Sequence, residues 1–371
     1  MRRMDFDRLF SGEDRSFRTL LPAAVRAPEV DCFALRKDPC VTIRSVFRPR
    51  EGCRFLHEAA GLSWRGTLFA AWYNCPEREL QGPTPIRLSR SPDGGNTWTE
   101  PETVAEDPTG RILFCPPVFG VLEGRLCLFL NQMTAPDHIH ALDLYVLDED
   151  KDRFRRRWSR PVPFKLNTNL IELPDGKKML PGRVGELDGF PNTPAVLLSD
   201  SGTLDGDWRL VRLAENGDLP DGSKLVHPEI WPIVRPDGID MYCRNDERRV
   251  TLLYRSEDCG ETWTGPGALD IPFSSSKICA GTLSTGVSYV IGNRLPDRRV
   301  LILLWTAPGE RIFTRGMILA DGNEPFVGRT VASHYPACWE SDGMLWVIYT
   351  AGYEPSLRGA ALAAVPVDAL K

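Results

Sequence analysis

The sequence predicts an all-β protein, and three features indicate this fold class. The first is an eight-residue pattern, S-x-D-x-G-x-T-W, which occurs at Ser91–Trp98 and again at Ser256–Trp263. The second is a succession of short alternating apolar runs separated by tight turns, with no sustained helical period anywhere. The third is a high content of Gly and Pro, 32 and 31 residues without a period, which is typical of many short strands.

Each copy of the eight-residue pattern is predicted to form a tight turn between two strands. The Asp is expected to fold its carboxylate onto the turn amides, and a Gly to take the left-handed conformation. The Ser or Thr hydroxyl adds a local hydrogen bond, and the Trp fills an apolar slot. Nothing in the turn needs to be catalytic, so the pattern indicates a fold and not a chemistry.

Strand-turn-strand units recur along the chain, and we count six of them. They include His57, Val118, Asn169, Glu229, Gly286 and Ala337 at or near their starts. The two copies of the pattern lie 165 positions apart, which equals three repeats of about 55 residues. Four-stranded units that bury their faces against neighbours are the blades of a β-propeller. The sequence therefore predicts a single six-bladed β-propeller of four-stranded antiparallel blades at residues 41–371, after a lead-in or cap at residues 1–40.

The composition argues against several classes of partner and compartment. A net charge of −5 disfavours nucleic acid and membrane surfaces, although it allows a locally basic pocket. No apolar run approaches about 18 residues, and no apolar segment follows Arg2 and Arg3, so no secretion signal is expected. The ten cysteines form no C-x-x-C pair and are interpreted as reduced core thiols. We expect a cytoplasmic protein without a metal or cofactor.

The repeated turn resembles the Asp-box, or BNR repeat, of the sialidase (neuraminidase) superfamily, and the similarity spans roughly residues 40–365. The chain looks most like a divergent bacterial sialidase-like branch of that superfamily. The resemblance implies a propeller whose site lies on the central axis, at the ends of the innermost strands. Because the Asp-box also occurs in sugar lyases and non-catalytic receptors, function has to be argued from the site.

The resemblance implies four site residues. In the run that starts at His227, a Glu, an Asp-Gly turn and an apolar strand ending in Arg are similar to the family's fourth blade. This similarity places Glu229 and Arg244 at neighbouring strand ends. Arg299 stands where the arginine of the family's fifth blade opens a strand, and Tyr335 stands where the tyrosine of the sixth blade precedes one.

These residue types suit the chemistry of a sialic acid, which carries a carboxylate on its anomeric carbon. A neutral phenol can attack that carbon without the repulsion that a carboxylate nucleophile would meet, and tyrosine is the known exception to the paired-carboxylate rule. A phenol with a pKa near 10 has to be activated, so Glu229 is expected to act as the general base for Tyr335. Arg244 and Arg299 are expected to bind the substrate carboxylate bidentately.

The first blade departs from the family pattern. Arg54 stands near the place of the family's Arg-Ile-Pro motif, shifted and without the Pro, and is the third candidate for carboxylate binding. The loop that carries the family's acidic Asp has two glutamates instead, and Glu79 is interpreted as the general acid. His57, in the predicted first strand, is a candidate pocket residue.

Three functions follow from these residues. The first is an exo-acting, retaining glycoside hydrolase of sialidase type that releases a terminal acidic sugar through a tyrosyl intermediate at Tyr335. The second is a polysaccharide lyase, or an atypical glycosidase, that uses His57 or Tyr335 to abstract a proton next to a uronate. The third is a propeller that binds acidic glycans without catalysis. The sugar, its linkage and the oligomeric state stay open at this point.

Overall fold

The structure, a computed structural model, describes most of the chain. The described residues are 17–19, 24–25, 28–184, 192–215, 217–219, 222–247, 251–269, 271–354 and 356–371. In these residues the fold is all-β, with one short 3-10 helix at Val367–Leu370. The predicted lead-in at residues 1–40 lies largely outside them. None of the helical structure in the described part is long and apolar enough to cross a membrane.

The strands run through the whole described chain. In the first half they are β1 (Phe17–Thr19), β2 (Ala24–Val25), β3 (Thr42–Phe47), β4 (Phe55–Trp64), β5 (Thr67–Cys75), β6 (Ile86–Ser91), β7 (Glu102–Ala105), β8 (Leu113–Leu122), β9 (Arg125–Ala135), β10 (His138–Asp148), β11 (Arg153–Arg160), β12 (Phe164–Leu166), β13 (Ile171–Glu172), β14 (Lys178–Val184) and β15 (Thr193–Ser199). In the second half they are β16 (Arg209–Arg212), β17 (Ile230–Arg235), β18 (Gly238–Cys243), β19 (Thr251–Ser256), β20 (Trp263–Leu269), β21 (Cys279–Thr282), β22 (Ser288–Asn293), β23 (Leu301–Trp305), β24 (Arg315–Ala320), β25 (Asn323–Glu324), β26 (Gly328–Arg329), β27 (Ala332–Ser341), β28 (Met344–Glu354) and β29 (Leu357–Pro366).

These strands form five sheets and one short hairpin, β25 with β26. Sheet I contains β3–β7 and β27–β29, and sheet II contains β8–β11. Sheet III contains β12–β16, sheet IV contains β17–β20 with β1 and β2, and sheet V contains β21–β24. Within each sheet, strands joined by short turns pair in antiparallel fashion, as short connections require.

Sheet I combines strands from distant parts of the sequence. β29 pairs with β28 on one side and with β3 on the other, where Ala363 lies opposite Ile43. A single residue pair, Arg358 with Phe55, links β29 to β4. Sheet I is therefore two antiparallel groups, β3 with β27–β29 and β4–β7, that meet at one point.

The first strands of the sheets, together with β14 of sheet III, contact one another in succession. β4 contacts β27 and β8, β8 contacts β12, β14 contacts β17, and β21 contacts both β17 and β27. Large apolar side chains fill the spaces between neighbouring sheets, as with Phe69 of sheet I and Phe154 of sheet II, whose ring centroids are 6.5 Å apart. This arrangement brings the ends of the first strands together, and the candidate site lies there.

The turn at Ser256–Trp263 has the predicted internal contacts. Asp258 accepts hydrogen bonds from the backbone N–H of Thr262 at 2.9 Å, from its hydroxyl at 2.5 Å, and from Ser256 Oγ at 2.8 Å. Gly260 is left-handed, with φ of 86°, and donates its N–H to Ser256 Oγ. Trp263 is buried and donates its indole N–H to the carbonyl of Gly260 at 3.1 Å.

The first copy of the turn repeats these contacts around Asp93. Thr97 donates its backbone N–H and its hydroxyl to the carboxylate, and Ser91 donates its hydroxyl. The hydrogen bonds from Thr97 lower the pKa of Asp93 to about 2. Both copies join the third and fourth strands of a unit, β6 to β7 and β19 to β20, as the pattern predicts.

Several strands have no clear sequence signal. β29 is Leu357–Pro366, an alanine-rich run with low intrinsic strand propensity, and it is a strand because β28 and β3 flank it. β21, Cys279–Thr282, is only four residues long and precedes the run from Gly286 that the sequence analysis identified. β3 at Thr42–Phe47 pairs with β29 far along the chain, which no local pattern encodes.

The Asp-box turn should contribute measurably to stability. In Asp258→Ala, three hydrogen bonds to the carboxylate are lost, and we expect the free energy of unfolding to fall by about 1–2 kcal/mol. Urea denaturation would measure the change. The matched control is Glu257→Ala in the same turn. Glu257 is exposed, and among the described residues it pairs with Arg255 alone, so a change below about 0.5 kcal/mol is expected. Equal losses in both variants would contradict the assigned role of Asp258.

Candidate active site

Arg244 is the centre of the candidate site. It directly follows β18, and Glu229 directly precedes the paired strand β17, so the antiparallel register places the two residues side by side. Arg244 donates its backbone N–H to the carbonyl of Glu229 at 2.9 Å. Its Nη1 atom also donates to Glu229 Oε2 at 2.7 Å, and both side chains are buried. The sequence predicts that these two residues are neighbours.

Tyr335 reaches the same guanidinium from sheet I. The pairing of β27 with β28 shifts register between His334 and Ala337, and Tyr335 lies in this irregularity with φ of 57°. A bulge of this kind re-aims a side chain, and a positive φ on a tyrosine is a strained conformation that tends to occur at functional sites. Arg244 Nη1 donates to Tyr335 Oη at 2.7 Å, so one nitrogen contacts both Tyr335 and Glu229.

The other edge of the Arg244 guanidinium is occupied by Asp246. Nε and Nη2 donate to the two oxygens of Asp246, each at 2.6 Å. Asp246 also contacts His227 Nδ1 at 2.8 Å and accepts the hydroxyl proton of Ser275. Burial alone would raise the pKa of Asp246, but these hydrogen bonds hold it well below its usual range. Each of the three guanidinium nitrogens of Arg244 therefore donates to at least one protein group.

Three further cations lie around Tyr335 or beside it, and the sequence analysis assigned none of them to the site. The guanidinium carbon of Arg298 lies 5.5 Å from the Tyr335 ring centroid, and Lys277 Nζ lies 6.0 Å from it. Arg358, at the start of β29, stacks over the Phe55 ring at 4.6 Å. Burial lowers the pKa of Arg358 and Arg298 acts in the same direction, whereas Glu79 and Tyr335 act in the opposite direction. In the described contacts neither Arg298 nor Arg358 donates to a carboxylate.

Glu58 is a buried carboxylate that the sequence analysis missed. It lies where the pairing of β4 with β5 shifts register, between His57 and Ala60, and its φ is 46°. Lys277 Nζ lies 3.2 Å from Glu58 Oε2, and both side chains are almost completely buried. The alternation of apolar and polar residues along a strand does not predict where a bulge occurs. The inward direction of Glu58 therefore has no sequence signal.

His57 packs directly on Tyr335. The ring centroids are 4.1 Å apart, and His57 Nδ1 lies 3.0 Å from Thr350 Oγ1. His334 lies next to both rings, with its centroid 5.1 Å from that of His57. Burial, followed by the positive charges around the site, lowers the pKa of both histidines well below their usual value. Both imidazoles are therefore neutral at pH 7.

The ionisation of Tyr335 and Glu229 follows from their surroundings. Burial, together with the charge of Glu229, raises the pKa of Tyr335 well above its usual value, although Arg244 acts in the opposite direction. Burial alone would raise the pKa of Glu229, but Arg244 and Lys277 outweigh it and lower that pKa. At pH 7 the free protein therefore holds a neutral phenol and an ionised carboxylate.

A second buried ion-pair group lies on the side of sheets II and III. Lys165 Nζ lies 3.0 Å from Asp137 Oδ1, and Arg183 Nη2 lies 2.7 Å from the same atom. Burial alone would raise the pKa of Asp137, but the two cations hold it well below its usual range. The charge of Arg183 also helps to lower the pKa of Glu229, so this group belongs to the electrostatic surroundings of the site.

Three predicted site residues lie away from the Arg244 contacts. Glu79 is exposed and accepts a hydrogen bond from Tyr73 Oη at 2.9 Å, so it lies at the margin of the site. The Arg54 guanidinium pairs with Glu77 at 3.2 Å and is 41% exposed. Arg299 is exposed, and it is the preceding residue, Arg298, that faces Tyr335.

The physical reason for this difference is the geometry of the turn before β23. Arg298 and Arg299 are consecutive, and only Arg298 is directed inward, where its Nε and Nη2 donate to the carbonyl of Ser275 at 3.0 and 2.8 Å. Arg299 donates its backbone N–H to Asp297 and leaves its side chain outside. Two adjacent arginines give no sequence signal for which one points inward.

Comparison with known proteins supports the fold. Residues 66–347 match the BNR repeat-like domain family. No match is found among curated proteins. A Dyadobacter fermentans protein of unknown function is similar with a TM-score of 0.68 at 13% identity, over 88% of this chain and 99% of that one. A Hadza microbial sialidase is similar with a TM-score of 0.65 at 13% identity, over 86% of this chain and 67% of that one.

A Trypanosoma rangeli sialidase in complex with 2,3-difluorosialic acid, described as a covalent intermediate, is also similar. Its TM-score is 0.62 at 13% identity, over 89% of this chain. The present chain covers only 59% of that protein. Identities in this range show a common fold and leave the chemistry to be argued from the residues of the site.

The buried histidines predict a pH dependence of stability. Because their pKa values are lowered in the folded protein, the unfolded chain binds more protons below about pH 6.5. Stability should therefore fall as the pH drops from 7 to 5, by up to about 1.4 kcal/mol per pH unit for each histidine. His57→Gln should reduce this slope in urea denaturation series, and His138→Gln, at an exposed position, should leave it unchanged. An unchanged slope in His57→Gln would contradict a neutral, buried His57.

Proposed function

We propose, since the chain belongs to the BNR repeat-like domain family, that it is an exo-acting glycoside hydrolase of sialidase type. It releases a terminal acidic sugar, sialic acid or a related one, with retention of configuration. The observation that carries the proposal is the contact of Arg244 Nη1 with both Tyr335 Oη and Glu229 Oε2, at 2.7 Å each. This contact joins a nucleophile, a base and a cation in one buried cluster.

The proposed fold is a six-bladed β-propeller. Sheets II to V supply one blade each, and sheet I supplies two, β4–β7 and β27–β29 with β3. The succession of contacts among the first strands, from β4 through β8, β12, β14, β17 and β21 to β27 and back to β4, supports a ring. In such a ring β3 closes the last blade by pairing with β29. The site then lies on the axis, where the first strands begin.

In the proposed reaction Tyr335 Oη attacks the anomeric carbon and displaces the aglycone. Glu229 accepts the phenolic proton, and Glu79, at the margin of the site, donates a proton to the departing oxygen. Water then attacks the tyrosyl-linked sugar while Glu79 takes a proton from it, and Glu229 returns the proton to Tyr335. Two displacements at the same carbon give net retention.

Arg244 has a specific part in this reaction. The raised pKa of Tyr335 keeps the phenol neutral in the free protein, so an anionic substrate approaches it without repulsion. As the phenolic proton moves to Glu229, negative charge passes from Glu229 to Tyr335 Oη, and the guanidinium already lies against both oxygens. A cation fixed before the reaction stabilises such charge without reorganisation.

The substrate carboxylate is assigned to other cations, because Asp246 and Glu229 occupy Arg244. Arg298 lies over the Tyr335 ring, and Arg358 lies over the Phe55 ring and interacts electrostatically with Tyr335. Neither has a carboxylate partner among the described hydrogen bonds, and a guanidinium matches a carboxylate in geometry. Arg298 takes the role predicted for Arg299, and Arg358 takes the role predicted for Arg54.

One observation favours a second candidate function, the lyase. The neutral imidazole of His57 lies with its centroid 4.1 Å from the Tyr335 ring, and a neutral base next to a phenol suits proton abstraction beside a uronate. The products discriminate the two functions, since a lyase forms an unsaturated uronate that absorbs in the near ultraviolet and a hydrolase does not.

The nucleophile can be identified by trapping. The protein should release the aryl group from an aryl sialoside, and 2,3-difluorosialic acid should add one sugar mass to a peptide containing Tyr335, detected by mass spectrometry. Tyr335→Phe should prevent the labelling, and Glu229→Gln should lower kcat by about 10²–10⁴-fold.

The matched control for this experiment is Tyr145→Phe, which removes a phenol in sheet II, away from the site. It should keep full activity and full labelling at Tyr335. The proposal fails if no acidic aryl glycoside is cleaved between pH 4 and 8. The nucleophile assignment alone fails if Tyr335→Phe keeps its activity or if the label is found on another residue.

Substitution of the adjacent residues Arg298 and Arg299 tests which of them binds the substrate carboxylate. Arg298→Ala should raise KM about 10–100-fold, because a charge-assisted contact with the substrate carboxylate is lost. Arg299→Ala should change KM less than about twofold, because this side chain is exposed. Steady-state kinetics on one substrate compare the two, and a larger effect at Arg299 would restore the original prediction.

A further inference from the structure

The segment Ser274–Ser276, between β20 and β21, binds Arg298 directly and Arg244 through Asp246. We propose that this segment, with one bound water molecule, is a positioning element that holds Arg244 and Arg298 in a fixed arrangement. The effect of this segment on catalysis rests on the proposed function, but its hydrogen bonds can be tested without a substrate.

Ser275 holds the two arginines by different groups. Its hydroxyl donates to Asp246, and Asp246 binds Arg244 through two hydrogen bonds of 2.6 Å. Its backbone carbonyl accepts Nε and Nη2 of Arg298 at 3.0 and 2.8 Å. The hydroxyl contact depends on the side chain, whereas the carbonyl contact is available to any residue at this position.

A small cavity lies directly behind these contacts. Arg244, Asn245 and Ser274–Ser276 are among its lining residues, and it offers about 10 Å³ to the centre of a water molecule. Three buried polar atoms on its lining, Asn245 Nδ2, Ser274 Oγ and Ser276 Oγ, have no hydrogen-bond partner among the described residues. Asn245, Ser274 and Ser276 are all at least nine-tenths buried.

The chemistry of this cavity identifies its occupant as water. A cavity of this size holds one water molecule, and a buried water typically makes about three hydrogen bonds to otherwise unsatisfied groups. Asn245 Nδ2 can only donate, whereas the two hydroxyls can donate or accept, so one water satisfies all three. The neighbouring Arg244 guanidinium and the amide N–H groups disfavour a cation, and the carboxylates of Asp246 and Glu229 disfavour an anion.

The water and Ser275 together join two sheets behind the site. Asn245 follows Arg244 at the end of β18 in sheet IV, whereas Ser274 donates its N–H to the carbonyl of Asn293 at the end of β22 in sheet V. The carbonyl of Arg298 in turn accepts a hydrogen bond from the backbone N–H of Ser333, which lies two residues before Tyr335. The spacing of both guanidiniums from the phenol therefore depends on the Ser274–Ser276 segment.

The side-chain and backbone contacts of Ser275 can be separated by NMR. Arginine Nε–H correlations, assigned with Arg244→Lys and Arg298→Lys, report hydrogen bonding without any substrate. In Ser275→Ala the correlation of Arg244 should shift or disappear, while that of Arg298 should stay. Ser275→Thr keeps a hydroxyl and should restore the Arg244 correlation. An unchanged Arg244 correlation in Ser275→Ala would overturn the positioning role.

Kinetics test the catalytic consequence. Ser275→Ala should lower kcat on an aryl sialoside about tenfold with little change in KM, because Arg244 acts on Tyr335 and not on the substrate carboxylate. Ser284→Ala removes an exposed hydroxyl bound to Glu340 and should change neither parameter. Equal kcat in Ser275→Ala and wild type contradicts the inference, whereas an inactive wild type contradicts the proposed function and leaves the NMR result decisive.

The bound water is tested by crystallography of the wild-type protein. High-resolution density should contain one water within hydrogen-bond distance of Asn245 Nδ2, Ser274 Oγ and Ser276 Oγ. In Ser276→Ala the water should be lost or displaced. A dry cavity, or three polar groups bonded to protein atoms instead, would overturn this part of the proposal.

Discussion

The burial of the Arg244 guanidinium is the constraint on which the site depends. A guanidinium taken out of water is costly unless its donors are met and its charge is balanced. Asp246 meets one edge with two bonds, and Glu229 and Tyr335 share a nitrogen of the other edge. These partners come from sheets IV and I, so the charge can be satisfied only when the two sheets lie in their final arrangement. The need to balance one buried cation thereby brings the Tyr335 phenol and the Glu229 carboxylate together.

The parts of the site that the sequence predicts are those fixed by local register. Glu229 and Arg244 flank a hairpin whose turn, Pro236-Asp237, sets the pairing, so a strand prediction already makes them neighbours. Tyr335 precedes a similar hairpin, and the resemblance to sialidases marks its place. The Asp-box turns are similarly local, since all their hydrogen bonds join residues within a few positions.

The site residues that the sequence does not predict depend on backbone geometry that the alternation of apolar and polar residues along a strand does not encode. Glu58 and Tyr335 occupy register shifts in β4 and β27, which send a side chain inward against the regular period. Arg298 and Arg299 differ only in the direction that one turn gives them. Arg358 enters the site because β29 meets β4 at a single pair, a contact that joins residues about three hundred positions apart.

The pairing of β29 with β3 has a consequence for the synthesis of this protein. During translation, the edge of β3 that pairs with β29 stays unpaired until the ribosome has made the residues up to Pro366. Tyr335 and Arg358 belong to the same late group of strands, so the nascent chain has no complete site while it is being translated. The candidate site is therefore completed in a single late step, and premature termination upstream of β29 yields a chain with two open strand edges and an incomplete site.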